Sequence, residues 1–175
     1  MVCKVAGFKT RKMIADGIFM SKLSYLIALW GGSADQLMDP LQKAQNKAAR
    51  AVTKLDWNTP VRVLLRQCGW LSVQQLAMYH SVVLVYKVMK TESPRYLFSM
   101  FSNKYTVDTR HARRAQIRPT RDTDKELSFD SFSWKAARDY SLIPLSIRSL
   151  EQIGEFRFEF KNWIRENIAL KQNTF

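Results

Sequence analysis

The spacing of apolar residues along the first part of the chain follows a period of 3.6 and predicts a succession of amphipathic helices. The first stripe predicts an apolar helix from about Thr10 to Trp30, which the pair Gly31-Gly32 ends in a left-handed conformation. The members of this stripe are Ile14, Ile18, Leu23, Leu26, Ile27 and Trp30. We expect this helix to bury that face against a neighbouring element.

A second helix follows the glycine pair, and the sequence offers two alternatives for its start. Ser33 with Gln36 fits a capping box, whereas Asp39-Pro40 is a second start signal. Either a short turn precedes a helix that begins at Pro40, or one helix kinks there. The predicted apolar face of this helix comprises Leu37, Leu41, Ala44, Ala48, Ala51, Val52 and Leu55.

The second helix also carries a regular set of cations, which are Lys43, Lys47, Arg50 and Lys54. Because they step by four, three and four positions, they share one face of the helix, which we expect to be exposed. Such a face can follow a phosphate backbone, and an ordinary solvated helix surface is the competing interpretation.

Start and stop signals define the next two helices. Thr59-Pro60 predicts an N-cap followed by a first-turn proline, and Gly69 is placed to close this short helix. Ser72 with Gln75 forms a second capping box, which opens a helix through roughly Lys90.

The C-terminal part of the sequence predicts two further elements. The stretch FSWKAARDYSLIPLSIR reads as a short helix that runs into a proline turn, and Ser149 with Gln152 then caps a helix to about Lys171. The apolar face of this last helix comprises Ile153, Phe156, Phe160, Trp163, Ile164 and Ile168.

Residues 102–131 interrupt the helical pattern, because they are polar, rich in charge and lack a 3.6-residue period. Five arginines beside His111 make this segment strongly basic; they are Arg110, Arg113, Arg114, Arg118 and Arg121. Arginine side chains bind phosphates and stack on bases, so we expect these residues to contact nucleic acid. Salt bridges or a mobile tail are the alternatives.

These patterns predict a mainly α-helical fold, an irregular helical bundle with a long basic loop that has room for a short β-hairpin. We divide the chain into a helical region (1–101), the basic irregular insert (102–131) and a C-terminal helical segment (132–175) that packs on the first region.

Of all the features of the composition, the net charge of +13 says most about the function. Residues 1–100 hold 14 Lys/Arg against 5 Asp/Glu, and residues 101–121 hold 6 against 1, whereas residues 122–175 are close to neutral. The basic surface therefore belongs to the first two thirds of the chain, and we expect RNA or DNA as a partner. No apolar run reaches 18 residues, so a membrane partner is not expected.

Groups for catalysis are scattered. No Asp-Asp pair could hold two metal ions, and the soft ligands Cys3, Cys68, His80 and His111 lie far apart in sequence. We expect His80 to be a packed core residue. We therefore predict no catalytic residue, no metal site and no cofactor. Trp57 and Tyr105 lie in predicted loops, from which an aromatic ring can stack on a base.

Six stretches, taken in order, resemble a family of mobile-element proteins. They are YLIALWG (25–31), LQKAQNKAARAVT (41–53), GWLSV (69–73), Thr109-Arg110, YSLIPLSIR (140–148), and Phe160-Lys161 with Ile164-Arg165. Their order is similar to that of the region downstream of the polymerase core in reverse transcriptases of LINE-type, jockey-like non-LTR retrotransposons. The chain departs from that pattern at Leu26, where the family has Gly, and at Tyr140-Ser141, where it has Trp-Asn.

The resemblance implies a non-catalytic C-terminal portion of an RNA-directed DNA polymerase, since the endonuclease and the catalytic aspartates lie upstream in such elements. Such a portion would contact template RNA or target DNA, inside the cell, in the nucleus or the cytoplasm. One alternative is a helical packing module that docks onto the polymerase core or a host protein, and exposed apolar area on the first helix would favour it. A remnant without function is the other.

Overall fold

The computed structural model describes residues 6–30, 35–102 and 132–168, and within these ranges the chain is helical, with no β-strand. The prediction of a mainly α-helical fold is confirmed. The chain divides into two compact units, one formed by Met1–Ala77 with Ile168–Phe175 and the other by Met78–Asn167. The basic insert, where a β-hairpin was one option, lies outside the described residues.

The first unit begins with a short helix that continues into a wider turn. Helix α1 (Phe8–Ala15) leads into a π-helical turn (Asp16–Met20) and then into α2 (Ser21–Ser24) and α3 (Ile27–Trp30). The prediction of one regular helix here is wrong in detail, because Leu26 adopts a positive φ of 50° and interrupts it.

Burial in this segment is also narrower than the apolar stripe predicts. Among the stripe residues whose burial the structure describes, Leu23 and Ile27 are buried, whereas Ile14, Ile18 and Leu26 are exposed. The change of helical type and the break at Leu26 alter the rotation between successive residues, so a strict 3.6-residue period no longer places the stripe on one face.

Helix α4 (Asp35–Thr53) is one helix that includes Pro40. Of the two predicted alternatives, the structure therefore has the single helix through Pro40 and not a helix that begins there. Its predicted apolar face is right at Val52, which is buried, and wrong at Ala51 and Leu55, which are exposed. Leu41, Ala44 and Ala48 are only half-buried. The residues that point into the core are Met38, Gln45, Ala49 and Val52. The sequence pattern predicted a buried face through the alanines because alanine is apolar. The line that α4 buries is instead the adjacent one, which includes Gln45.

The core of the first unit lies between α4 and the next helix, α5 (Val61–Cys68). Its buried residues are Ala49, Val52, Leu64, Leu65, Cys68 and Trp70. Each fully buried leucine stabilises this packing by about 1.5–3 kcal/mol. Pro60, not Thr59, stands at the N-cap of α5, so the predicted Thr59 cap is wrong. Thr59 belongs to the preceding turn, where its amide donates to the carbonyl of Asp56.

Gly69 closes α5 in the left-handed conformation, with φ 69° and ψ 18°, as the sequence predicts. The capping box at Ser72 is also confirmed: the Ser72 amide donates to Gln75 Oε1 at 3.0 Å, and the Gln75 amide donates to Ser72 Oγ at 3.2 Å. It opens helix α6 (Val73–Thr91), whose residues fall in both units.

The described part of the second unit contains the rest of α6 and four more helices, which are α7 (Arg95–Ser102), α8 (Phe132–Ser141), α9 (Leu145–Arg148) and α10 (Ile153–Asn167). Phe156, Phe160 and Ile164 of α10 are buried, as its apolar face predicts. Ser149 does not cap α10, which begins four residues later at Ile153, and its hydroxyl donates to the carbonyl of Ser146.

Aromatic stacking forms the centre of the second unit. The ring of Tyr86 lies 3.8 Å from that of Phe156, and the ring of Tyr79 lies 5.9 Å from that of Phe160. The Tyr86 hydroxyl donates to the carbonyl of Leu150 at 2.6 Å, which fixes the chain just before α10. Offset aromatic pairs of this kind add about 0.5–1.5 kcal/mol each to the area that they bury.

Candidate nucleic-acid interface

Helix α4 separates its cations from its core residues. With a rotation of about 100° per residue, the line through Lys43, Lys47 and Arg50 lies roughly 160° from the line through Met38, Gln45, Ala49 and Val52. Lys54 follows the end of the helix at Thr53, so its predicted position on the same helical face is wrong. The three lysines are exposed and Arg50 is half-buried. We call the four cations the basic face; the three that lie on the helix span about 10 Å along its axis.

The four members of the basic face differ in the contacts that their side chains and backbone already make. Lys43 and Lys47 form no ion pair or hydrogen bond with any residue in the described ranges. Lys54 follows the last turn of α4 and has a positive φ of 55°. Arg50 donates from Nη2 to the carbonyl of Trp57 at 3.2 Å, and its buried Nε lacks a partner among the described atoms.

Two glutamines of α4 fix the orientation of this helix and therefore of its basic face. Gln45 is fully buried, and its Nε2 donates to the carbonyl of Leu71 at 2.8 Å. Gln42 accepts from the amide of Val73 at 2.9 Å and donates to Gln45 Oε1 at 3.0 Å. Helix α4 is thus bonded to the turn before α6 through side chains that would otherwise be available to bases or solvent.

Sequence reasoning missed the role of these glutamines. The detectable signal is the position of Gln45, which lies seven residues after Met38 and four before Ala49 and so falls on their line. A glutamine on an apolar helical line must find partners for its amide when it is buried. Gln42 and Gln45 therefore hold the structure together and are not candidates for base recognition.

The carboxylate of Asp16 also holds the turn before α6, through a bond from Trp70. Trp70 Nε1 donates to Asp16 Oδ1 at 2.7 Å, while Lys12 Nζ pairs with Asp16 Oδ2 at 2.5 Å. This carboxylate is therefore occupied within the unit and does not neutralise the basic face. Trp70 itself is buried in the core of the first unit.

The second predicted cluster lies outside the described residues. It comprises Arg110, Arg113, Arg114, Arg118 and Arg121, together with His111. No geometry is assigned to these side chains. The same holds for Tyr105 and Cys3.

The titratable residues that could support chemistry are packed inside the units. Burial, aided by the nearby Arg157, lowers the pKa of His80 below its ordinary value of 6.5, and the imidazole meets the ring of Tyr79 edge-on at 5.4 Å. Cys68 is a free, buried thiol whose pKa is raised by burial. Within the described ranges, no three His, Cys, Asp or Glu residues are grouped as a metal site would require.

A different kind of surface lies on the first three helices. Their exposed apolar residues are Phe8, Met13, Ile14, Ile18, Tyr25, Leu26 and Leu29. Met13 and Ile18 keep 68% and 63% of their surface exposed, which is unusual for such side chains when several occur together. We call this set the N-terminal apolar face.

Comparison with protein-family models, with curated proteins and with solved structures found no match to this chain. None of the helices in the described part of the chain has the length and apolar composition required to cross a bilayer. The function is therefore argued from the surfaces themselves.

Proposed function

We propose that this chain is a non-catalytic, nucleic-acid-contacting segment of a retrotransposon RNA-directed DNA polymerase, which helps to position template RNA or target DNA. The observation that carries the proposal is the basic face of α4, which lies opposite the buried line of that helix. Lys43 and Lys47 have no acidic partner among the described residues, so their charge is available to phosphates. The ordered sequence stretches supply the polymerase context.

The geometry favours backbone contact over base readout. Lysines present mobile point charges, which suit phosphate oxygens at variable positions. Gln42 and Gln45, the glutamines of α4 whose side chains the structure describes, are already bonded to Val73 and Leu71. Binding through this face should therefore depend on ionic strength and only weakly on base sequence.

The test is a titration of the full chain with a fluorescently labelled structured RNA at several salt concentrations. The variant Lys43→Gln/Lys47→Gln should weaken binding and reduce the slope of log affinity against log salt by about 1–2. The matched control is Lys87→Gln/Arg95→Gln, which removes the same charge from exposed positions in the second unit. Reversing charge at Arg110, Arg113 and Arg114 in a separate variant measures the contribution of the insert.

Two results would reject the proposal. The first is an affinity that does not change with ionic strength. The second is an equal loss of binding in the α4 variant and its control, because general positive charge would then explain the interaction and the basic face would have no particular role.

The N-terminal apolar face favours a second candidate function, docking onto a protein such as a polymerase core or a host factor. Apolar patches of this kind mark protein interfaces when they remain exposed in a folded unit. The variant Met13→Ser/Ile18→Ser should keep its thermal stability, since both residues are exposed, and should lose binding to a polymerase core of the resembled class in sedimentation velocity. Unchanged association would remove this candidate.

A further inference from the structure

The turn between α4 and α5 exposes a tryptophan. Trp57 keeps 73% of its surface accessible, the largest fraction among the large apolar residues that the structure describes. An indole in this state loses the benefit of burial that usually places tryptophan inside a protein or an interface. Among the described residues, this indole makes no aromatic contact and no side-chain hydrogen bond, so its faces are open to a ligand.

The turn that presents this ring is fixed by hydrogen bonds. The Lys54 amide donates to the carbonyl of Arg50 at 2.8 Å, and the Thr59 amide donates to the carbonyl of Asp56 at 3.0 Å. Arg50 Nη2 donates to the Trp57 carbonyl itself at 3.2 Å. The backbone at Trp57 is therefore held from both sides, and the ring is displayed without the entropy cost of ordering a free loop on binding.

The bond from Arg50 also places the tryptophan at one end of the basic face. A ligand that follows Lys43 and Lys47 along α4 reaches the Trp57 turn after Arg50. Asp56 is exposed beside the ring and its carboxylate disfavours a phosphate at that point. The turn is thus suited to the uncharged face of a base, whereas the helix is suited to the charged backbone.

We infer that Trp57 stacks on a base of a single-stranded nucleic acid whose phosphates lie along the basic face. Alternating cations and an exposed aromatic ring are the combination by which proteins hold single strands without reading sequence. The bases of a duplex have their faces covered by neighbouring pairs and cannot accept the ring. This inference rests on the proposed function and adds that the ligand is single-stranded.

The experiment compares two probes with the full chain by fluorescence anisotropy, a single-stranded oligouridine RNA and an RNA duplex of the same length. Trp57→Ala should weaken binding to oligouridine roughly 5- to 100-fold. Its affinity for the duplex and the salt slope with either probe should stay unchanged, because no phosphate contact is lost. Trp57→Tyr should recover most of the affinity for oligouridine, since it restores a stacking surface.

Two control variants make the result specific. Tyr96→Ala removes a comparably exposed ring in the second unit and should leave both affinities unchanged. Lys43→Gln/Lys47→Gln should weaken binding to both probes, which reports on the proposed function independently of stacking. Because Trp57 is exposed, its alanine variant should keep the circular dichroism and thermal midpoint of the wild type.

Each opposing outcome has a separate meaning. If Trp57→Ala binds both probes like the wild type while Lys43→Gln/Lys47→Gln does not, stacking is wrong and the proposed function stands. If the wild type binds neither probe, both are wrong. If the wild type instead self-associates and Trp57→Ala becomes monomeric in sedimentation, the ring belongs to a protein interface and the inference is overturned.

Discussion

Gln45 offers the sharpest test of how the basic face is held in place. Its side chain is 0% exposed, and its amide donates to the carbonyl of Leu71, a residue that is itself only 2% exposed. Gln45→Met keeps an unbranched side chain of similar length and removes the amide. The Leu71 carbonyl then lacks its partner in a place that water does not reach readily, which costs about 1–3 kcal/mol.

Two smaller effects adjust this figure. Gln42 loses one acceptor when Gln45 is replaced, but its Nε2 still donates to Asn46 Oδ1 at 2.8 Å. Removing a buried amide also recovers part of the cost of its desolvation. We therefore expect Gln45→Met to lower the free energy of unfolding by about 1–2 kcal/mol, which corresponds to a fall of about 2–8 °C in Tm for a chain of this length.

The assay is urea denaturation followed by circular dichroism and by tryptophan fluorescence, with thermal melting as a second measurement. Gln67→Met is the matched control, because it makes the same change on the exposed side of α5 and should alter stability by less than about 0.5 kcal/mol. If both variants are equally stable, the amide does not hold α4 and the account given of its orientation is wrong.

Three further changes probe the same fold. Trp70→Phe removes the 2.7 Å bond to Asp16 and should cost about 1–3 kcal/mol in urea denaturation, because the acceptor is a carboxylate. Gly69→Ala places a side chain at φ 69° and should cost about 1 kcal/mol by the same measurement. The pKa of His80 is lowered by burial and by Arg157, so the unfolded chain binds its proton more readily. Stability from His80 is therefore present above pH 6.5 and lost as pH falls through the folded pKa, and His80→Gln should reduce this loss in urea midpoints measured against pH.

Each of these changes has its own check. Trp57→Phe alters an exposed ring and should leave the free energy of unfolding unchanged. If Trp70→Phe also leaves it unchanged, the indole bond from Trp70 to Asp16 does not stabilise the fold as described. Gly154→Ala introduces a Cβ into open space within α10 and should stabilise the chain by about 0.5 kcal/mol, opposite in sign to Gly69→Ala. For His80, identical pH profiles in wild type and variant would show that the half-buried imidazole does not set the acid limit.

Local signals in the sequence predicted much of the secondary structure, because they depend on neighbouring residues alone. Gly69 ends α5 because it tolerates a positive φ, and Ser72 with Gln75 satisfies the first amides of α6 wherever that helix packs. The caps at Thr59 and Ser149 were wrong because each helix begins later than the predicted cap requires: Pro60 is the N-cap of α5, and α10 begins at Ile153, a shift that sequence spacing does not reveal.

The sequence by itself determined that the fold is helical and that Lys43, Lys47 and Arg50 share one side of α4, since helical periodicity requires nothing beyond residue spacing. Lys54 lies beyond the last residue of α4, so its predicted place on that side was wrong. Only the tertiary structure decided which side of α4 is buried, because that depends on partners far along the chain. The Gln45 amide is acceptable in the core because its Nε2 donates to the Leu71 carbonyl and its Oε1 accepts from Gln42, and these contacts fix α4 with Lys43 and Lys47 facing outward. The exposure of Trp57 and of the N-terminal apolar face was likewise decided by packing, since neither residue type nor spacing distinguishes an exposed apolar residue from a buried one.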